Sequence, residues 1–452
     1  TKDGLEYYLA DKLDISEDGL TYTLHINDKA TWSDGEPVTV KDIKFTIDYG
    51  VLVYGGPTSF TKVNGGEVQI NEIDDKTMEF VLPSVYDNYV RTLSQFYPMP
   101  AHAFDNDPSK INDSTYFKTP GMATSGAYVV SEINEDSFVY TARDDYYRGT
   151  PSVKKVVIKT IGSGSTKQIE FENGGIDYMR VTSAEDLKKY KEESDKYNMY
   201  SISEARLNYL QLNPHGPVMS TLSQDARKAI FLALDKDAIV DFAWGSNELA
   251  EPANSLITPD QSIYNKDCKG YNFNLEEAKK LAKSSGLEGK ELTYIYNSDR
   301  ANMEAVATVV QQQLAEIGVT VNIESCDTST FFPRFFASKD KELATTWDLG
   351  TNGWDSQRGS NCGQAISYFT NRLCDCGYSD EVSGLAQKAI GTADAKEKQE
   401  LWNTIQDKAL EECWEYPLTY TNFVMVSQKN VTGLDGSSVV PEFIDYLSIH
   451  VD

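Results

Sequence analysis

The sequence predicts an α/β protein built from two domains. Its 452 residues exceed what a single ordinary core organises, since domains typically hold about 100 to 200 residues. Residues up to about 211 have the pattern of strands joined by turns, whereas later residues alternate helices with strands. These observations predict two hydrophobic cores with a cleft between them.

Antiparallel sheet dominates the predicted first domain. Apolar side chains alternate over residues 20–26, the period of a half-buried strand, and similar short runs recur as far as residue 161. Gly, Asp and Asn between these runs supply the turns. One helix interrupts them, because Thr39 can cap it, Asp42 stands at the capping-box position and the following apolar residues share one face.

The second domain is predicted to be α/β. Residues 223–245 form two amphipathic helices, the second capped by Asp235, and residues 274–286 form another helix that ends at a glycine. A strand, helix, strand unit spans residues 291–325, with its helix over 302–317. Such a unit normally places its two strands parallel, with a right-handed crossover.

The chain is expected to cross between the domains twice, near residues 210–213 and 420–423. Two helices, over 380–390 and 396–412, come before a strand that returns toward the first domain. Two crossings allow a hinge between the domains, because a few residues at the ends of the connecting segments can change their backbone angles when the domains close. The predicted domain boundaries are 1–211, 212–420 and 421–452.

Charge and hydropathy exclude two kinds of partner. The net charge is −27, from 42 Lys and Arg against 69 Asp and Glu, which repels a phosphate backbone and argues against nucleic acid. No stretch approaches the roughly 18 apolar residues of a membrane span, and residues 1–10 contain no signal-peptide core. We therefore expect the soluble portion of a processed protein.

The six cysteines favour a disulfide over a metal site. Cys362, Cys374 and Cys376 fall close together, where a disulfide closes a short loop easily in an oxidising compartment. Zinc would need a second ligand pair at a recurring spacing, and no His lies nearby. The pairing partners stay open, and neither a metal nor another cofactor is predicted.

No arrangement typical of catalysis is found in the sequence. The segment "GSGSTK" (162–167) lacks the second glycine of a phosphate-binding loop and is predicted to be a polar loop. His25, His102, His215 and His450 are each isolated from Ser, Cys or acidic partners at a familiar spacing. The sequence therefore predicts a protein that is not an enzyme.

The segment "TNGWDSQRGSNCG" (351–363) is the strongest candidate for a binding site. It follows a short apolar run that predicts a strand, and loops at the carboxyl ends of strands face the ligand crevice in α/β domains. The candidate ligand-binding residues in this loop are Gly353, Trp354, Asp355, Gln357 and Arg358.

Five segments carry a resemblance to a known family. They are "ADKLDISEDGLTYTLHINDKATWSDGEPVTVKDIKFTIDYGV" (10–51), "ATSGAYVVSEI" (123–133), "FENGGIDYM" (171–179), "LQLNPHGPVMSTLSQDARKAIFLALDKDAIV" (210–240) and "QQQLAEIGVTVNIES" (311–325). In this order they resemble the family 5 extracellular solute-binding proteins, the peptide and oligopeptide receptors of ABC importers. The resemblance covers nearly the whole chain, although the family's N-terminal stretch has no counterpart here.

The resemblance implies a two-lobed periplasmic-binding-protein-like fold of type II, cluster C. Its first lobe would carry an extra subdomain over about residues 30–150, and a hinge would join the lobes. Ligand would be enclosed as the lobes close and then delivered to a membrane permease. The resemblance also implies a monomer outside the cytoplasm, extracellular or periplasmic, anchored through an N-terminal lipid absent from this chain.

In relatives the tryptophan loop resembles G-W-x-x-D, whose aspartate pairs with the ammonium group of a peptide. Gly353 and Trp354 match this pattern, but Gln357 occupies the aspartate position, and Asp355 substitutes only if the loop is two residues shorter. A glutamine can bond neutral amides or hydroxyls in both directions, and Arg358 suits a carboxylate through a bidentate pair. The sequence therefore questions the usual recognition of a free peptide N-terminus.

Four further candidates lie at the two crossings: Tyr209 and Asn213 at the first, Tyr420 and Phe423 at the second. Aromatic rings there would cover peptide side chains or stack on sugar faces. The sequence predicts an oligopeptide receptor, with an oligosaccharide receptor as the alternative inside the family. A hydrolase, or a receptor-like domain for signalling or adhesion, is the alternative outside it.

Overall fold

The elements follow the alternating patterns of the sequence. The computed structural model describes residues 5–452 except 57, 87–88, 95, 163, 337–340, 356–367, 372–374, 393 and 436–444. The strands are β1 Ala10–Ile15, β2 Thr21–Ile26, β3 Lys62–Val63, β4 Gly66–Glu67, β5 Gln69–Glu72, β6 Thr77–Val81, β7 Tyr128–Ile133, β8 Ser137–Ala142, β9 Lys155–Lys159, β10 Tyr178–Val181, β11 Tyr197–Leu212, β12 Ala250–Pro252, β13 Glu291–Asn297, β14 Thr320–Cys326, β15 Leu349–Asp355, β16 Glu415–Gln428, β17 Val431–Thr432 and β18 His450–Val451. The α-helices are α1 Val40–Tyr54, α2 Tyr89–Ser94, α3 Gly164–Glu172, α4 Ala184–Glu192, α5 Gln224–Ala233, α6 Lys236–Ala243, α7 Leu275–Ser285, α8 Met303–Ala315, α9 Thr328–Phe335, α10 Lys341–Ala344, α11 Asp380–Ile390 and α12 Ala395–Glu412.

Two larger antiparallel sheets and the short pair β3-β4 form the described N-terminal part of the chain, as the turn-rich pattern predicts. One has the order β1-β2-β6-β5 and the other the order β7-β8-β9. The first sheet is covered by α1, whose apolar face joins a core around Trp32, Phe80 and Tyr89. The strand predictions for this region are confirmed.

A buried aspartate organises the start of α1. Asp42 is 4% exposed, and its Oδ2 accepts a hydrogen bond from the Thr39 amide at 2.9 Å, as the capping-box pattern predicts. The same carboxylate accepts the Trp32 indole N–H at 3.3 Å and the Ala101 amide at 2.9 Å. One side chain thereby holds the helix N-terminus, the core tryptophan and a distant turn together.

The central sheet joins the two parts of the molecule. Its order is β10-β16-β11-β15-β13-β14, with β12 paired to β16. The pairs β13·β14 and β13·β15 are parallel, whereas the other pairs are antiparallel. The prediction of a strand, helix, strand unit with parallel strands over residues 291–325 is therefore confirmed.

Two long strands, β11 and β16, run through the whole of this sheet. Near Tyr197 the pair is flanked by β10, and beyond Arg206 it is flanked by β15. The register shifts between Ser203 and Arg206, which pair with the adjacent residues Asn422 and Thr421. Ala205 in this bulge has a φ of 52°, a left-handed conformation that is uncommon for a residue with a Cβ atom. The bulge marks where the ribbon passes between two packing environments.

Helices and strands alternate in the C-terminal half as predicted. The two helices of residues 223–245 are α5 and α6, and the Asp235 carboxylate caps the second by accepting the Ala238 amide. Asn274 caps α7, which ends at Gly286 with a φ of 75°. A large core holds α5, α7 and α8 against the sheet. The domain boundaries 1–211, 212–420 and 421–452 stay predictions.

Two local predictions were wrong. Residues 164–167 of the predicted polar loop begin the helix α3, which continues to Glu172 and buries Phe171. Residues 351–355 of the predicted tryptophan loop belong to strand β15, which pairs with β11 over residues 206–212. The strand extends beyond the apolar run because its polar residues also pair with β11, for example Asp355 with Arg206.

Asp348 ties three segments together just before β15. It is 1% exposed, and its Oδ1 accepts the amides of Val218 at 2.8 Å and Met219 at 2.7 Å, while its Oδ2 accepts the Thr293 amide at 3.1 Å. A carboxylate with several backbone donors satisfies groups that burial would otherwise leave unpaired. It therefore fixes the ends of β13 and β15 against the turn that follows β11.

A second buried carboxylate lies at the start of β16. Glu415 is 3% exposed and its Oε2 accepts the Tyr378 hydroxyl at 2.5 Å, while burial raises the pKa of Glu415 to about 7. Gln211 is its cross-strand neighbour. Among the described atoms, the Glu415 Oε1 and the Gln211 Oε1 have no hydrogen-bond partner. Protonation would turn the buried Glu415 carboxylate from a charged group into a neutral one, which is the form that burial favours.

Three of the six cysteines are described as free thiols, and two others lie outside the described residues. Cys268, Cys326 and Cys413 are buried thiols outside any disulfide. Cys362 and Cys374 lie outside the described residues, so the disulfide near Cys376 stays a prediction. In the described part of the chain, every helix is too short or too polar to cross a bilayer.

Candidate functional site

A cavity of about 320 Å³ opens beside the bulge in β11. The bulge contributes Glu204 and Arg206, and the end of β10 contributes Arg180. The turn between β13 and α8 forms another wall through Arg300 and Asn302. The cavity is therefore built from both parts of the chain that the long strands connect.

Arg206 forms an ion pair with the end of the tryptophan strand. Its side chain is 9% exposed, and its Nη1 lies 2.7 Å from the Asp355 Oδ1. The Nε donates to the Asn208 Oδ1 at 3.2 Å, and Asn208 in turn donates to the Thr419 hydroxyl at 3.1 Å. This network holds the guanidinium in place at the base of the cavity.

A second ion pair crosses from β10 to the bulge. The Arg180 Nη2 donates to the Glu204 Oε2 at 2.8 Å, and the Thr421 hydroxyl donates to the same oxygen at 2.7 Å. The Arg180 guanidinium also lies over the Phe423 ring, 4.7 Å from its centroid. Such a cation over an aromatic face is attracted to it and restricts the rotation of the side chain.

Arg300 differs from the other two arginines. It is exposed, and among the described residues its guanidinium has no hydrogen bond or ion pair. Partial burial lowers the pKa of Arg300; the charges of Arg206 and Arg180 also lower it, whereas those of Asp355 and Glu204 raise it. The adjacent Asp299 carboxylate instead accepts the amide of Thr328, the first residue of α9, at 2.8 Å.

The candidate residues of β15 lie on opposite faces of the sheet. Side chains alternate along a strand, so Gly353 and Asp355 lie on the face of the Arg206 and Asn208 side chains, whereas Trp354 points to the opposite face. Trp354 is 5% exposed and packs in a core that includes Leu207 and Tyr420. Its contact with a ligand stays a prediction, as do those of Gln357 and Arg358, which lie outside the described residues.

Gly353 makes room for the charged network. A Cβ atom at this position would lie 2.5 Å from the Arg206 Nη2 and 2.6 Å from the Asn208 Oδ1. Both distances are below normal contact, and both side chains are buried. The absence of a side chain is therefore required for the Arg206–Asp355 pair to sit at this depth.

We expect Gly353→Ala to lower the free energy of unfolding by about 1 to 3 kcal/mol, because overpacking displaces a buried guanidinium. Chemical denaturation would measure the change. Gly384→Ala on α11 is the matched control, since a Cβ atom there meets nothing within 4 Å and alanine favours a helix by about 1 kcal/mol. Equal effects of the two substitutions would contradict the prediction.

The candidates near the crossings are engaged within the protein. Asn213 is 3% exposed and donates to the carbonyls of Ala344 at 2.8 Å and Trp347 at 2.7 Å. Tyr209 is fully buried, and its hydroxyl lies 2.7 Å from that of Tyr368.

Tyr420, at the second crossing, is 7% exposed, and its hydroxyl donates to the Ser255 carbonyl at 2.8 Å. The residues that line the described cavity include none of Tyr209, Asn213, Gly353, Trp354, Asp355, Tyr420 and Phe423. Phe423 contacts Arg180, which does line it. Their ligand-binding roles stay predictions.

Sequence reasoning missed the residues that line this cavity. Arg180 and Arg300 are distant in sequence from Glu204 and Arg206 and share no motif with them, so only the fold brings the four residues together. One usable signal was the charged pair Glu204 and Arg206 inside a segment that holds no other charged residue from Tyr197 to Leu212. A buried pair of this kind is rare unless its members are matched by other charges.

The fold and the cavity together define the class of two-lobed solute-binding proteins. The family described as bacterial extracellular solute-binding proteins, family 5 Middle, matches residues 4–372, so the chain belongs to this family. The family resemblance and the fold class predicted from the sequence are thereby confirmed. The family is extracellular, as its description states.

Relatives and solved structures agree with this family. The chain is 23% identical over 435 residues to the dipeptide-binding protein of Escherichia coli strain K12. The aligned region covers 88% of this chain and 77% of that protein. A Brucella ovis relative, named for peptide binding by an ABC transporter, is 26% identical over 331 residues, 72% of this chain. The chain spans 60% of the length of that relative.

Among solved structures, the fold matches the ABC transporter substrate-binding protein CtaP of Listeria monocytogenes with a TM-score of 0.86. The sequences are 28% identical, and the match covers 98% of this chain and 90% of the other. This similarity extends over both parts of the chain that surround the cavity.

Proposed function

We propose that the protein captures a short peptide in the cavity beside the β11 bulge and delivers it to an ABC importer. The observation that carries this proposal is the cavity itself, which is lined by both parts of the chain at the strands that connect them. Its volume of about 320 Å³ is at the lower end of the range of ligand pockets, roughly 300 to 1,000 Å³. The names of the relatives support a peptide as the ligand.

The proposal includes binding without chemical change. The polar groups of the cavity are arginines, carboxylates and amides that pair with one another, an arrangement that orients a ligand. In the wider proposal the protein acts outside the cytoplasm as a monomer, and an N-terminal lipid holds it at the membrane. Permease subunits of the importer would receive the peptide when the lobes open.

Thermal unfolding of the purified protein with a panel of di- to pentapeptides tests the proposal. A ligand at about one hundred times its dissociation constant adds about 2.7 kcal/mol to the free energy of unfolding, so at least one peptide should raise the Tm. Malto- and cello-oligosaccharides form the comparison arm, since a sugar receptor is the alternative ligand class. Mass spectrometry of the recovered peptide should show it intact.

A Tm that rises with sugars and not with peptides would replace the peptide by an oligosaccharide as the ligand. Peptide fragments that accumulate with incubation time would replace the binding protein by a hydrolase. Unchanged Tm values with every peptide would contradict the proposal.

A further inference from the structure

Tyr86 packs against two hydrophobic cores at once. One is the N-terminal core around Trp32 and Phe80, to which its own segment between β6 and α2 belongs. The other, which we call the second core, lies around Trp354 and Trp402 and holds β15, α9, α11 and α12 together. Tyr86 is half-buried in this position. It therefore links two parts of the molecule that have separate cores.

The connections of the chain do not impose this contact. The sheet β1-β2-β6-β5, which carries the Tyr86 segment, shares no strand with the central sheet. Among the described residues before β10, Tyr86 is the only buried or half-buried apolar side chain that packs against the second core. The contact is therefore made by side-chain packing between two parts of the molecule, without strand pairing.

The Tyr86 segment is fixed to the N-terminal part. The Asn64 side-chain amide donates to the Ser84 hydroxyl at 3.1 Å, and the Tyr86 carbonyl accepts the backbone amide of Tyr89 at 3.0 Å. Tyr89 is fully buried in the N-terminal core. These bonds hold the segment from its own side, so the Tyr86 ring loses little further freedom when it meets the second core.

The N-terminal part is attached on the β10 side of the bulge in β11. The Arg148 Nη2 lies 3.2 Å from the Asp445 Oδ2. The ring of Tyr446, the next residue, packs edge to face with Tyr128 on β7 at a centroid distance of 5.9 Å, and its hydroxyl lies 2.9 Å from that of Tyr178 on β10. The C-terminal segment therefore joins the N-terminal sheets to β10.

Tyr86 contacts the opposite side of the bulge. The second core includes Leu207, Trp354 and Tyr420, which lie on β11, β15 and β16 beyond the bulge. The Tyr86 contact therefore reaches from the β10 side to the β15 side, outside the strands that connect the two sides. A rotation of one side against the other about the bulge moves the Tyr86 ring relative to the second core.

From this arrangement we infer that Tyr86 is a positioning residue, which holds the two sides of the bulge together over a bound ligand and slows its release. A contact that is present in the closed arrangement and absent in the open one shifts the equilibrium between them by its own free energy. Packing of an aromatic ring supplies such a contact. The effect on the ligand rests on the proposed function, whereas the effect on the shape of the molecule does not.

Stopped-flow fluorescence of the full chain, followed through its six tryptophans, tests the effect on the ligand. The probe is the member of the di- to pentapeptide panel that raises the Tm most. We expect Tyr86→Ala to raise the dissociation rate constant by about 5- to 20-fold and to change the association rate constant by less than about 3-fold. Tyr86→Phe keeps the ring, and both of its rate constants should stay within about 2-fold of the wild type.

Tyr54→Ala is the matched control. It removes the same side chain from α1 in the same part of the molecule, where Tyr54 is 80% exposed. Both rate constants of this variant should stay within about 2-fold of the wild type, as for a surface substitution.

Small-angle X-ray scattering without peptide measures the effect on shape. Tyr86→Ala should have a larger radius of gyration than the wild type, whereas Tyr86→Phe and Tyr54→Ala should have the same radius. A role of Tyr86 in the N-terminal core alone would lower the Tm and would change neither the radius nor the dissociation rate constant at temperatures well below the Tm.

The outcomes separate the inference from the proposed function. If Tyr86→Ala leaves the dissociation rate constant and the radius of gyration unchanged, or if Tyr86→Phe behaves like Tyr86→Ala, the inference is overturned and the peptide receptor stands. If every peptide of the panel fails to bind, the proposed function is overturned and the radius of gyration decides the inference alone. Expansion of Tyr86→Ala would then support it, and an unchanged radius would overturn it.

Discussion

Replacing Asp348 with alanine is expected to lower the free energy of unfolding by about 3 to 5 kcal/mol, the largest effect of any single substitution proposed for this chain. The carboxylate accepts three backbone amides, from Val218, Met219 and Thr293. Alanine leaves all three donors without a partner in a place where Asp348 itself is 1% exposed. Each unsatisfied buried donor costs about 1 to 3 kcal/mol, and partial access of water reduces the sum.

Asp348→Asn is the matched control for this prediction. An asparagine in the same position keeps one acceptor oxygen for Val218 and Met219, but it directs an N–H group toward the amide of Thr293. We expect it to lose about half of what alanine loses. Urea denaturation at neutral pH would measure both variants, and a loss below about 1 kcal/mol for alanine would show that the three donors find other partners.

The stability of the protein is expected to fall by about 3 kcal/mol as the pH rises from about 5 to about 8, through the titration of Glu415. Burial raises the pKa of Glu415 from 4.5 to about 7 in the folded state. Between these two values the unfolded chain has released the proton and the folded chain retains it, so each pH unit costs about 1.36 kcal/mol. The contribution is complete below about pH 4.5 and is lost as the pH passes 7.

Glu415→Gln should remove this pH dependence. The amide oxygen can accept the Tyr378 hydroxyl, and the amide N–H can serve the unpartnered Gln211 oxygen. The variant should match the wild type at about pH 5 and exceed its stability by about 3 kcal/mol near pH 8. Glu400→Gln, at a side chain that is 66% exposed, is the control. A constant difference between Glu415→Gln and wild type across this range would contradict the assignment.

Local signals explain why much of the fold could be predicted from sequence. Helix α1 has its capping residues and apolar face within a dozen residues, and α6 is fixed in the same way by Asp235. Strand β11 carries no such signal, because Glu204, Ala205 and Arg206 interrupt its apolar pattern. Its length depends on β16, more than 200 residues away, which continues the pairing on both sides of the bulge.

The candidate site was predicted only in part for a related reason. Gly353 and Asp355 were found because they adjoin a conspicuous tryptophan, and both face the charged network. Trp354 itself lies in a core, since the extension of β15 turns it to the other face of the sheet. Arg300 and Arg180 act through tertiary placement, and neither charge nor spacing in the sequence distinguishes them from surface arginines.

The left-handed residue Ala205 sits between the two charged residues of the bulge. Glu204 belongs to the side of the ribbon that faces β10, and Arg206 to the side that faces β15. Any rotation of one half of the molecule about this point alters the separation of their two ion pairs. A substitution that alters the backbone at Ala205 would therefore shift both ion pairs together.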